Sequence, residues 1–250
     1  MRYIKDNLNF FIFMILICII GGYFTTIYSF NYFDQSIIDE GIKQVGSKEL
    51  LIVISVIQIS LYSIVFSLIG IILSNKIGLW KKFEFNNKAI IFTVIISIIG
   101  GLSLSVVDRY LFGYFIEPVK LSYDSKPTLD YIISSFTYGA VFEEILMRLF
   151  LMSLIVWIIS IVFYRKKEIP VYVFVIANII SSFLFALGHI PSTIQLFGYV
   201  DGLILFRCFL LNGLFGLMFG WLYRKYGIGY SILAHFGAHL VSKLIWLLFI

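Results

Sequence analysis

Charge is scarce in this sequence: 13% of its 250 residues are Asp, Glu, Lys or Arg, against 60% hydrophobic residues and a mean hydropathy of +0.99. That shortage excludes a water-soluble domain of this length, which could not hide so much apolar surface from water. Cysteine is scarce as well. Cys18 and Cys208 both lie in apolar runs without metal-like spacing, which leaves a disulfide or zinc-thiolate framework without support and makes them packing residues. No fixed-period repeat, no low-complexity tract and no polar stretch long enough for a folded extramembrane domain is present. A net charge of +5 in a soluble domain would suggest nucleic acid. Here the basic residues are scattered among the connections between apolar runs, so they read as topology signals and no nucleic-acid partner is expected.

What is abundant is apolar sequence in runs of spanning length, at about 8–30, 50–74, 89–116, 131–164, 170–190, 203–223 and 227–250. Backbone polar groups in hydrocarbon must be satisfied within their own segment. Runs of this length therefore indicate helices rather than the alternating short strands of a barrel. The expectation is an all-α, polytopic helical bundle of about seven spans, one membrane domain over residues 1–250, multi-pass in the cell membrane. The run from Leu8 to Phe30 follows Met1-Arg2-Tyr3-Ile4-Lys5, but it is too long for a signal peptide and lacks a small-x-small cleavage site, so an uncleaved first span is expected. Eleven Lys and Arg flank the even connections and the N-terminus, against four in the odd connections, which puts the N-terminus inside and, with seven spans, the C-terminus outside. Gly216 and Gly220, near Gly213, form a small-xxx-small pair that favours close helix packing in the sixth run.

The fourth run contains Glu143-Glu144-x-x-x-Arg148, three ionisable residues at positions where membrane insertion costs on the order of 2.5–3.5 kcal/mol each. Glu144 and Arg148 are four residues apart, share a helix face and can pair in the favourable Glu-before-Arg order. Glu143 points about 100° away and has no partner on its own helix. A buried carboxylate without a partner is a candidate general base. The competing reading is a charge cluster that pins two helices together.

The chain has only three histidines, and each lies within or at the end of an apolar run: His189, His235 and His239. The last two are four apart, so both can reach one point from one helix face. A carboxylate base, a histidine to orient water and further donors for an oxyanion are the ingredients of water activation. Zinc is the alternative, since three histidines and a carboxylate make a metal-ligand set: Glu143, His189, His235 and His239. The spacing His-x-x-x-His lacks the Glu that follows the first His in zincins, and no cofactor is the leading expectation. Asp108-Arg109, Asn178, Arg207, Asn212 and Lys243 could line a water path to the site, but they read at least as well as helix-to-helix hydrogen bonds or snorkelling side chains, and no site role is assigned to them. Phe185, one turn before His189, is expected to pack against it.

Together, Glu143-Glu144-x-x-x-Arg148, Phe185-x-x-x-His189 and His235-x-x-x-His239 resemble the motifs of the CPBP family, which comprises type II CAAX prenyl proteases and bacteriocin-processing or Abi-type membrane proteins. The resemblance covers a protease-like core at about 131–245. It implies that Glu143 and His189 activate water, that His235 and His239 stabilise the oxyanion, and that Glu144 and Arg148 support them. Many members have Asn at the last position, where this chain has His239, a donor that can also titrate or bind metal. The metalloprotease label often attached to the family therefore stays open.

The function expected is an intramembrane endopeptidase acting on a membrane-associated peptide or protein, lipidated or not, with roles such as peptide maturation or bacteriocin self-immunity. The alternatives are a proton-coupled transporter using the same Glu and His residues, or a non-catalytic immunity protein that binds a peptide. Two tensions accompany this reading. His189 falls at the end of a fifth run drawn from 170 to 190, roughly 13 Å from its middle, whereas Glu143 and His239 lie near mid-span. The resemblance also implies a substrate reached from the cytosol, while the charge count turns the end of the fifth run outward.

Overall fold

A computed structural model describes residues 8–165 and 167–250; Arg2, Lys5 and Lys166, which entered the topology count, lie outside the described residues. Among the described residues the secondary structure is helical throughout, and seven helices are long and apolar enough to cross a membrane. They are α1 (Leu8–Tyr32), α3 (Lys48–Lys76), α4 (Asn87–Phe115), α6 (Leu129–Phe163), α7 (Val171–Phe197), α8 (Gly202–Tyr226) and α9 (Ile228–Phe249). Two shorter helices, α2 (Gln35–Val45) and α5 (Glu117–Ser122), occupy the first and third connections.

Local sequence sets the ends. The side chains of Ser47, Asn86 and Asp201 accept from the backbone N–H three residues on, capping α3, α4 and α8. The sharp turn between α8 and α9 falls at Gly227, whose φ of 100° suits a residue without a Cβ. On the same side of the bundle, Lys81 Nζ donates to the carbonyls of Arg224 and Lys225 at 3.0 and 2.6 Å, closing the C-terminus of α8. Partial burial, then the charge of Arg224, lowers the pKa of that amine.

The amphipathic helix α2 was not foreseen. It buries Ile38, exposes Asp39, Glu40 and Lys43, and starts on Asp34, which accepts from Ser36.

The fifth span is the main correction to the expected limits. The run drawn from 170 to 190 stops short of Pro191, which stands in the first turn of a second helical piece, Ile190–Phe197, where the missing N–H costs nothing. His189 is the junction between the two pieces, and Gly198, at φ 77°, ends the second. Redrawn to Phe197, the span places His189 about 8 Å from its middle. The depth mismatch shrinks accordingly.

Lipid tails are as apolar as the helices, so packing rather than hydrophobic transfer holds such a bundle together. Its largest buried cluster joins Cys18, Ile71, Phe142, Ile145, Leu149 and Ala177 from α1, α3, α6 and α7. Both cysteines are buried and free, as expected of packing residues. The 35-residue α6 continues without a break, but Ser135–Phe142 and Ile145–Met152 are wound as π-helix, with Glu143 and Glu144 between the two stretches. Such widened turns frequently occur at functional sites.

Candidate active site

The acidic pair is divided as the helix geometry predicts. Glu144 is wholly buried, with Oε1 3.3 Å from Arg148 Nη1 and 3.0 Å from His235 Nδ1 of α9. Its Oε2 lies 2.5 Å from the hydroxyl of Ser231, which is also 2.9 Å from the Phe219 carbonyl oxygen. Arg148 is equally buried. Its Nη2 donates to the Gly216 carbonyl at 3.0 Å, and its guanidinium lies 4.7 Å from the Phe185 ring centre and 5.8 Å from that of Phe219. A charge removed this completely from water needs a partner: Glu144 of α6 supplies the countercharge, α8 a carbonyl, α7 and α8 ring faces, and α9 holds Glu144 in place.

Gly216 therefore does more than permit helix packing. A Cβ there would come within 3.0 Å of Arg148 Nη2, so the glycine clears the path to its own carbonyl.

Glu143 faces elsewhere. Its side chain is 18% exposed, and Oε1 is 3.9 Å from His189 Nε2. That is too long for a direct hydrogen bond and is a distance one water can bridge. The other ring nitrogen of His189, Nδ1, donates to the Phe185 carbonyl at 2.8 Å, which leaves the Nε2 lone pair turned toward Glu143. Phe185 packs edge-on against His189, with ring centres 4.7 Å apart, as the sequence suggested.

The two histidines of α9 stack on one face, ring centres 4.9 Å apart, and His235 also stacks on Phe219 at 4.6 Å. With Nδ1 of His235 donating to Glu144, its Nε2 remains for chemistry. His239 sits one turn further along α9 beside Gly139 of α6, where a Cβ would stand 3.1 Å from its Nε2. Its Nδ1 is buried without a hydrogen-bond partner.

All four candidate residues, Glu143, His189, His235 and His239, line one cavity of about 630 Å³, whose wall also includes Tyr28, Arg207 and Asn212. That volume is in the range of small-molecule and peptide side-chain sites. Sequence reasoning gave Arg207 and Asn212 no site role, yet both line the cavity. Arg207 is held there by Asp108, with Nε and Nη2 donating at 2.6 and 2.7 Å. Asn178 is a helix-to-helix hydrogen bond, donating to the Leu217 carbonyl at 2.9 Å, and Lys243 is buried with Nζ 3.7 Å from the ring centre of Tyr131.

Gly139, Gly216, Phe219 and Ser231 were also missed. Ser231 had a legible signal, since Ser231, His235 and His239 run at four-residue intervals along one face. By donor type the four residues could bind zinc. In this arrangement, however, no three His, Cys, Asp or Glu side chains among the described residues are grouped to share one ion.

A family model described as type II CAAX prenyl endopeptidase Rce1-like matches residues 125–241, the stretch from the connection before α6 to the middle of α9. The match spans 117 of the 250 residues and supports the resemblance to the CPBP family over that stretch. No curated protein and no solved structure matched the chain. The Rce1-like segment contains every residue of the Glu144 network and all three histidines, whereas α1, α3 and α4 lie outside it. That match supports a CAAX-type intramembrane endopeptidase in general: a membrane protease with a peptide or protein substrate.

Proposed function

We propose that the protein hydrolyses a peptide bond of a membrane-associated peptide or protein, with water activated between Glu143 and His189. The observation that carries this reading is the division of the acidic pair. Glu144 is committed to Arg148, His235 and Ser231, while Glu143 meets the cavity opposite the free Nε2 of His189.

A water held between Glu143 Oε1 and His189 Nε2 donates a hydrogen bond to each. Glu143 takes its proton as the oxygen attacks the carbonyl carbon of the scissile bond. The oxyanion that forms needs N–H donors. His235 offers Nε2–H in the form with both ring nitrogens protonated, its Nδ1–H held on Glu144. His239 supplies a second donor from the next turn. Glu143 then returns the proton to the departing amine as the C–N bond breaks, so one water is consumed and the base is regenerated.

Peptide maturation or self-immunity remains the biological setting proposed, in the cell membrane. Cleavage of candidate membrane peptides by purified protein, set beside the Glu143→Gln variant, tests the reading. A transporter using the same residues would instead move protons or solute in proteoliposomes without cutting peptide.

A further inference from the structure

The direction of the cavity follows from the helices that line it. Its residues Tyr28 and Phe33 lie at the C-terminal end of α1, Tyr131 at the N-terminal end of α6, and Gln195 and Leu196 at the C-terminal end of α7. All these ends emerge on the face that holds the first, third and fifth connections. The helix α2 and the turn Gly198–Asp201 belong to that same face.

The charges of the two faces differ in sign. The cavity face holds Lys43, Lys48, Lys120 and Lys126 against eight acidic residues: Asp34, Asp39, Glu40, Glu49, Glu117, Asp124, Asp130 and Asp201. Seven of the eight are exposed, and Asp130 is half-buried. Arg109 on this side pairs with Asp124 at 3.8 Å, Arg207 is neutralised by Asp108, and Lys243 is buried under aromatic rings. The opposite face, counted over the described residues alone, holds eight Lys and Arg, including Lys81, Lys82, Arg165 and Arg224, against Glu84 and Glu168. Basic connections stay in the cytoplasm, so the cavity face is the outer one. The eight acidic residues lie outside the cavity wall, on the face where it opens, and a negative face raises the local concentration of cations there.

We propose that the cavity opens on the extracytoplasmic face and takes a cationic, membrane-associated peptide presented from that side. This rests on the proteolytic reading for what happens to the peptide, but not for where it enters or what charge it carries. It also departs from the cytosolic substrate that the family resemblance implies.

Two measurements that need no cleavage test it. Single-cysteine variants Gln44→Cys, on α2, and Lys82→Cys, in the second connection, are labelled in intact cells with a membrane-impermeant maleimide. The expected result is labelling at position 44 in intact cells and at position 82 only after permeabilisation. In parallel, a fluorescent amphipathic peptide is titrated onto detergent-solubilised Glu143→Gln protein in a lysine-rich and a glutamate-rich version. The lysine-rich peptide is expected to bind about tenfold tighter at low ionic strength, with the gap narrowing as salt is added. Labelling at position 82 in intact cells overturns the orientation, and equal binding of the two peptides overturns the substrate class. If both results hold while wild-type protein cuts neither peptide, the proteolytic reading fails and this one stands.

Discussion

His235 Nδ1 donates to Glu144 Oε1 at 3.0 Å, tying the middle of α9 to the acidic pair of α6. That contact reinforces the division of two neighbouring carboxylates that the helix spacing already separates. Glu144 becomes the anchor of a buried network, and Glu143 is left to face the cavity. It also fixes which nitrogen of His235 is available to substrate.

The network has a stability consequence. Glu144→Gln removes the countercharge of Arg148 in a site with no access to water, and loss of one partner of a buried pair costs about 3–5 kcal/mol. Thermal unfolding in detergent should show a clear fall in Tm, together with loss of activity. The double variant Glu144→Gln, Arg148→Met removes the orphaned charge and should recover part of the Tm without recovering cleavage. An unchanged Tm in the single variant would contradict the buried pair.

Gly139 makes room for His239. In Gly139→Ala the new Cβ would stand 3.1 Å from His239 Nε2, so the ring must shift by a few tenths of an ångström. Misplacement on that scale should lower kcat by on the order of tenfold with Tm nearly unchanged. Equal kcat in the variant would remove His239 from the reacting geometry.

The spans, the all-helical class and the three motifs were legible because hydropathy and the i, i+4 rule depend on local sequence. The fifth span was drawn from its apolar run alone and came out short, because a proline at the end of such a run does not show in sequence whether it begins a further helical piece. The helix α2 was hidden by its polar composition. Gly139 could not be picked out among 19 glycines, and Gly216 could be read only as a packing residue, because what sets their site roles is a side chain arriving from another part of the chain. Arg207 was read as a packing charge, and its place on the cavity wall depends on Asp108, 99 residues earlier.

Metal dependence can be tested directly. With no three His, Cys, Asp or Glu side chains among the described residues grouped to share one ion, the expected outcome is cleavage that persists in a chelator and is not raised by added zinc. Loss of cleavage in chelator, restored by zinc, would assign Glu143 and the histidines to a metal centre.

The most direct measurement is cleavage of a membrane peptide by purified wild-type protein and by Glu143→Gln, with the Tm of both recorded. Glu143 lines the cavity and takes no part in the contacts that hold Arg148 and Glu144, so the variant should fold as the parent does while kcat falls by about 10²–10⁴-fold or more. Cleavage at the parental rate by the folded variant would contradict Glu143 as the base.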